Sequence, residues 1–202
     1  MFEYLFPVMF EFKRGFALHY PLLFSIVYGL ETKNAFEFGA GLSTRVILEA
    51  LDVSGGKLIS CSLKSKDEIL GGRIKDHLRW THFHMKSDAL DMKQIEGSRF
   101  DFVLHDGSHR GDVLKRDLRK IVPLIKQYGI LLIHDTHHSK VGERMRQGLL
   151  SGLEGVKHSK VTLPYGYGLT IVKVDGNESN GQVDITRGKI GGTTTTIPVG
   201  RV

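Results

Sequence analysis

FDFVLHDGSHRGDVLKRDLRKIVPLIKQYGILLIHDTHH, running from Phe100 to His138, reads as strand, polar turn, helix, strand and polar turn. Phe100 to Leu104 and Ile130 to Ile133 are short apolar runs of the kind that form strands buried on both faces. Between them Leu114, Leu118, Ile121, Val122 and Ile125 recur at helical spacing. The pattern is a βαβ unit, whose right-handed crossover leaves the two strands parallel with their C-terminal ends on one edge. Asp106, His109, His134 and Asp135 follow those ends, so they are expected to converge where open parallel sheets bind ligands.

Upstream of this unit, Asn34 to Phe38 reads as a strand and EFGAGLSTRVILEAL, Glu37 to Leu51, as a glycine turn opening a helix near Ser43 or Thr44. Ser43 has the residue type of an N-cap. Glu37 stands at the strand end, and Gly39, Ala40 and Gly41 make a turn where backbone can approach a ligand, ahead of the free N–H groups of a helix start. A dinucleotide fingerprint wants a third glycine where Thr44 stands and an acid about twenty residues on, so the pattern argues against NAD. No Gly-Lys-Ser/Thr follows, which excludes a phosphate-binding P-loop. Lys57 to Ser62 is the next expected strand, Asp67 to Leu78 a helix weakened by Gly71 and Gly72, and Trp80 to Met85 a third strand. Beyond it, Ser87 and Asp88 either touch a ligand or cap a short helix over Leu90 to Glu96.

Downstream, Lys140 to Leu153 is expected to be helical, and Lys157 to Leu163 to pair antiparallel with Leu169 to Val174 through PYGYG. Met1 to Thr32 reads as two helical pieces broken near Tyr20-Pro21, because the residue before a proline disfavours the helical conformation. Three segments result: a helical cap over residues 1–33, a main domain over 34–175, and a tail over 176–202 whose Gly, Asn and Thr content fits a hairpin, a swapped arm or disorder. The expected fold class is α/β, a doubly wound, mostly parallel seven-stranded sheet with an antiparallel last strand.

At 202 residues, 41% of them hydrophobic and 25% charged, the chain suits one core with a tail rather than two large domains. Its net charge of +6 is scattered along the sequence and not gathered in a basic block, so a nucleic-acid partner is not expected. Cys61 is the single cysteine, which excludes an internal disulfide and a cysteine-based zinc site; it reads as a small apolar strand residue in a reducing, cytoplasmic setting. Glu3, Glu11, Lys13 and Arg14 interrupt the apolar N-terminus, and the uncharged run from Gly15 to Leu30 holds His19, Tyr20 and Pro21. Neither a signal peptide nor a membrane span is read there; a helix packed on the core and a peripheral membrane contact both fit. The apolar N-terminus and the tail favour a homo-oligomer.

Taken together, EFGAGLST, VLHDGSH and GILLIHDTHH resemble class I methyltransferases that use S-adenosylmethionine. They are similar in particular to the metal-dependent O-methyltransferases of the macrocin, mycinamicin and cephalosporin-biosynthesis group, over roughly residues 34 to 174. The resemblance implies a Rossmann-like fold and makes Glu37, Gly39, Ala40, Gly41 and Ser43 the cofactor turn, with Ser62, Asp88 and Asp106 as further cofactor contacts. Asp106, in an Asp-Gly-x-His motif, becomes a ligand of a divalent metal, and His109 of the same motif the general base. The family's adjacent acids after the fifth strand fall on His134 and Asp135, which become the other two ligands. Imidazole suits zinc, manganese, iron or nickel better than magnesium, so the implied ion is magnesium or a transition metal. A second departure is ISCSLKS, Ile59 to Ser65, where the family places an acid on the ribose hydroxyls and this chain offers Ser62.

Methyl transfer to oxygen is an in-line displacement, so donor and acceptor must be held in line while the acceptor hydroxyl loses its proton. The acceptor implied is a small hydroxylated molecule, such as a sugar or a catechol-like group. Asp106 and Asp135 also have plainer readings as turn and helix caps. His105, His137 and His138 read as substrate contacts or as bystanders, and Tyr20, His19 and Tyr165 as pocket wall or core. Two other functions compete. A nucleic-acid methyltransferase would draw on the basic charge, but no Asn-Pro-Pro-aromatic motif is present. A non-catalytic binding module of the same fold would account for His134 and for the missing ribose acid.

Overall fold

The structure, a computed structural model, describes residues 15–70, 75–95 and 97–176. Its strands are β1 Asn34–Phe38, β2 Lys57–Ser62, β3 Trp80–His84, β4 Phe100–His105, β5 Ile125–His134, β6 Lys157–Leu163 and β7 Leu169–Gly176. The α-helices are α1 Tyr20–Gly29, α2 Leu42–Ser54, α3 Lys66–Leu70, α4 Gly111–Ile121 and α5 Gly142–Gly152. The strands form one seven-stranded sheet in the order β3-β2-β1-β4-β5-β7-β6. All neighbours from β3 to β5 run parallel, while β7 is antiparallel to both β5 and β6. This is the Rossmann-like, doubly wound arrangement expected from the sequence.

Period-two alternation sorts the strand residues between two layers. Ala35, Leu58, Phe102, Leu104 and Leu132 pack with α1 and α2, through Leu23, Val27, Ile47 and Leu51. Phe36, Phe38, Val103, Leu131 and Ile133 pack with α4 and α5, through Leu114, Leu118, Met145 and Leu149. Each of the Val, Leu, Ile, Phe and Met side chains among them, once fully buried, contributes about 1.5–3 kcal/mol before the entropy of ordering is charged against it. The strand order reverses between β1 and β4, which opens a crevice at their carboxyl ends.

Several local expectations shift. The helix after β4 stops at Ile121; Val122–Leu124 is a 3-10 turn holding Pro123, which has no N–H to continue an α ladder, and Ile125 opens β5 instead of closing the helix. The helix expected over Asp67 to Leu78 is α only from Lys66 to Leu70; residues 71–74 lie outside the described residues, and Lys75 and Asp76 are 3-10. In place of a helix over Leu90 to Glu96 there are two 3-10 turns, Ser87–Ala89 and Met92–Ile95, with the Asp91 carboxylate accepting from the Lys93 N–H at 3.0 Å. Ser43 is not the N-cap of α2. That position is Gly41, and Ser43 lies inside the first turn. Gly15–His19 is a 3-10 turn, and α1 begins at Tyr20 with Pro21 in its first turn, where a missing N–H costs nothing. The expectations for residues 1–14 and 177–202 lie outside the described residues. Among the described helices, none is long and apolar enough to cross a membrane.

Candidate active site

The glycine turn after β1 is locked to the neighbouring strand ends. Gly39 donates its N–H to the Cys61 carbonyl at 3.0 Å, and Asp106 donates its own to the Phe38 carbonyl at 2.9 Å. Gly39 has φ +87°, and a Cβ there would stand 2.2 Å from the Asp106 carbonyl oxygen, so no other residue fits. Gly41 differs: its backbone is extended, and among the described residues, its chain neighbours aside, no atom lies within 4 Å of where its Cβ would be, which leaves the turn open to a ligand. Beneath the turn, Glu37 is fully buried and accepts from the Ser43 hydroxyl at 2.5 Å and the Thr44 hydroxyl at 2.6 Å. The Thr44 hydroxyl in turn accepts from the Gly41 N–H at 2.9 Å. Burial pushes the Glu37 carboxyl up to about 8 against the pull of the two hydroxyls, and nearby Asp106 adds to the rise. Glu37 thus braces the turn from below and is not part of the cleft wall.

The turn forms one side of a cleft of about 730 Å³ that also takes in Ser62 to Lys64 after β2, Met85 to Asp88 after β3 and Asp106 to Arg110 after β4. Tyr20 of α1 and Asp117 of α4 line it too. At the position where the resemblance wants an acid, the Ser62 hydroxyl donates to the Lys64 carbonyl at 3.1 Å and accepts from the Lys64 N–H at 3.2 Å. The same turn is pinned from β3 by His82 Nε2 on the Lys64 carbonyl and His84 Nε2 on the Leu63 carbonyl, at 2.8 and 3.0 Å. Asp88 sits in its 3-10 turn with its carbonyl, and that of Ser87, accepting from Lys120 Nζ at 3.1 and 3.2 Å.

Asp106 on the cleft wall and the buried His134 and Asp135 each offer one ligand atom, and the three atoms lie within 4.8 Å of one another. His134 Nδ1 is 3.0 Å from Asp106 Oδ1 and 3.4 Å from Asp135 Oδ1. Its Nε2 donates to the Gly166 carbonyl at 2.7 Å. Burial acts to lower the His134 pKa, but the two carboxylates overcome it and hold the ring up to about 10. Burial acts to raise Asp135, and the His134 cation holds it below the usual carboxylate range. Asp135 also has φ +61°, a left-handed backbone that aspartate tolerates better than most residues and that recurs at functional sites. His109 Nδ1 pairs with Asp135 Oδ2 while its ring stays 61% exposed. Behind the cluster, the Phe16 ring lies 4.8 Å from that of His134, and His19 Nε2 bonds the Tyr165 carbonyl at 2.9 Å.

These residues fit a divalent ion. Two carboxylates and one imidazole form a common donor set, and an Nε2–H held by a backbone carbonyl is how ligating histidines are oriented, with Nδ1 left to face the ion. The sequence reading therefore brings Asp106, His109, His134 and Asp135 together as expected, with Gly39, Ala40, Gly41, Ser43, Ser62 and Asp88 lining the adjoining cleft. His105 does not join them: it is fully buried beneath α4, its Nε2 3.0 Å from Asp117 Oδ2. His138 packs on the Tyr167 ring at 4.5 Å, His137 donates its backbone N–H to the Tyr167 carbonyl at 2.7 Å, and Tyr165 is exposed. Sequence reasoning passed over Asp117 and Thr44. Helical spacing carried a signal for the first, since Asp117 falls on the buried stripe of Leu114, Leu118 and Ile121.

A family model described as a methyltransferase domain matches residues 36–136. No curated protein sequence matches the chain. Among solved structures, the SAH-bound Podospora anserina methyltransferase PaMTH1 superposes with a TM-score of 0.63 at 14% identity, over 78% of each chain. A putative caffeoyl-CoA O-methyltransferase from Staphylococcus aureus gives 0.65 at 12%, over 78% of this chain and 83% of that one. The O-methyltransferase from Bacillus cereus in complex with SAH gives 0.59 at 18%, over 78% and 80%. At these identities the likeness is one of fold.

Proposed function

Because this chain belongs to the methyltransferase-domain family, we propose that it is an S-adenosylmethionine-dependent O-methyltransferase, assisted by a divalent ion, acting on a small hydroxylated acceptor. The observation that carries this reading is the meeting of Asp106, which lines the same cleft as the Gly39–Gly41 turn, with the buried His134 and Asp135. The SAH-bound neighbours and those titled O-methyltransferases support it.

S-adenosylmethionine, held along Gly39, Ala40, Gly41 and Ser43, supplies an electrophilic methyl group. A divalent ion held by Asp106, His134 and Asp135 supplies Lewis acidity toward an acceptor oxygen. The remaining work falls to side chains. Asp135 keeps the His109 ring in one orientation through Nδ1, so Nε2 takes the hydroxyl proton, a contribution of roughly 10² to 10⁴ in rate. Gly166, through its carbonyl, keeps the His134 ring from turning. Phe16 packs on the His134 ring, and Tyr20 lines the cleft.

Calorimetry and turnover assays test the proposal. Asp106→Ala is expected to abolish metal-dependent turnover while leaving S-adenosylhomocysteine affinity within about threefold, because the turn that holds the cofactor is built without that carboxylate. Turnover that survives Asp106→Ala contradicts the metal role. A second reading, a non-catalytic binding module, is favoured by one observation: the His134 cation already stands between the two carboxylates where an ion would sit. Cofactor binding without turnover at any divalent ion concentration would select it.

A further inference from the structure

We infer that the Tyr20 hydroxyl contacts the methyl group of the bound donor, an inference that rests on the cleft being an S-adenosylmethionine site. Tyr20 lies outside residues 36–136, the stretch that the family model matches, so that match assigns it no role. It enters from α1, a helix held firmly in place. Leu23 and Val27 are fully buried in the first core layer, and His19 Nε2 bonds the Tyr165 carbonyl at 2.9 Å. Phe16 meets the Tyr20 ring edge to face at 5.7 Å and the His134 ring at 4.8 Å, which ties the tyrosine to the candidate ion ligands.

Only 6% of the residue is exposed, yet it lines the cleft together with Gly39, Gly41 and Asp106. Among the described residues its hydroxyl has no hydrogen-bond partner. It is also not one of the polar atoms sealed in the core, so the access it has is to the cleft that Tyr20 lines. A phenol oxygen kept largely from water, with its hydrogen-bonding capacity unused, is costly until a ligand satisfies it. Burial, and after it the nearby Asp106 and Glu37 carboxyls, push the Tyr20 hydroxyl above its ordinary pKa, so it meets a ligand as a neutral group with two lone pairs. The negative charge of Asp106 draws the phenol proton toward itself, which leaves those lone pairs for the ligand. A donor held along Gly39–Ser43 has to present its methyl to an acceptor at Asp106, and Tyr20 lines the cleft with both. A methyl on a sulfonium is unlike other methyls: the cation polarises its C–H bonds and makes them donors to oxygen. S-adenosylhomocysteine lacks that methyl and its charge and shares every other atom with S-adenosylmethionine. The Tyr20 oxygen therefore tells the two apart.

Titration calorimetry of the full chain, with no acceptor present, compares the two compounds in wild type and in Tyr20→Phe, which removes the hydroxyl alone. Tyr20→Phe is expected to weaken S-adenosylmethionine binding by about threefold to tenfold and to leave S-adenosylhomocysteine within about twofold of wild type. Equal weakening of both would put the hydroxyl on a part that the two share and overturn the inference, and so would no change in either. S-adenosylmethionine isotopically labelled at the methyl carbon gives a second reading by NMR on wild type alone. The bound methyl protons are expected downfield of those of the free compound, as C–H groups facing an oxygen are. An upfield shift, or none, overturns the inference without any variant having to fold. Failure of wild type to bind S-adenosylhomocysteine at all would overturn the proposed function, and this inference with it.

Discussion

Glu37 and His134 both hold protons at neutral pH, for opposite reasons. Glu37 keeps its proton because burial leaves the charge unsolvated, so its pKa rises from 4.5 to about 8. Between those two values the folded protein binds a proton that the unfolded chain has released, so this group's stabilisation is complete below pH 4.5 and is lost as pH rises to about 8. Glu37→Gln is expected to remove that slope, which thermal unfolding followed from pH 4.5 to 8 beside wild type would show; parallel curves would mean the carboxyl titrates normally. His134 keeps its proton because two carboxylates face it, and that proton occupies the Nδ1 an ion would use. Metal binding at pH 7 should therefore release close to one proton, and affinity should rise with pH until about 10. Calorimetry in buffers of different ionisation enthalpy measures the release, and a value near zero would contradict His134 as a ligand. The strand-end position of Glu37 was legible in the sequence. Its partners Ser43 and Thr44 were not, because six and seven residues of separation become a contact only once the geometry of the Gly39 turn is known.

At the scale of elements, α4 links the cleft to the second helical layer. It meets α5 with no side chain between them at the crossing: a Cβ at Gly148 would stand 2.3 Å from the Gly111 carbonyl oxygen. Gly148→Ala should therefore destabilise the fold by about 1–3 kcal/mol in denaturant unfolding, even though alanine is the better helix former. A stabilised variant would show that the helices do not pass this closely. Helix spacing made α4 readable from its apolar stripe but could not show where it stopped, because Val122 and Ile125 continue the stripe past Pro123. The first half of β5 was hidden for a related reason. Lys126, Gln127 and Gly129 break the alternation, Tyr128 has φ +65°, and the register against β4 shifts there. His105 reads from the sequence as a substrate contact or a bystander, but alternation along β4 puts it on the same face as Val103, beneath α4.

For the whole molecule, the order of strands follows from right-handed crossovers working outward from β1, and one antiparallel return closes the sheet at β6 and β7. The mostly parallel sheet and its antiparallel return could be read from runs of apolar residues and the turns between them, whereas the strand order, with β7 between β5 and β6, needed the assembled sheet. The landing place of the N-terminal segment could not be read either, since its apolar character fits any exposed sheet face; here Tyr20 reaches the cleft and Phe16 packs on His134. Only the assembled sheet shows that Gly39, Asp106 and Asp135, drawn from three separate strand ends, lie close together. A crystal structure of the protein with manganese and S-adenosylhomocysteine, read by anomalous scattering, tests this most directly. One manganese peak in contact with Asp106, His134 Nδ1 and Asp135, with the homocysteine along Gly39–Ser43, is the predicted result. A peak elsewhere, or none with His134 still bonded to Asp106, would contradict it.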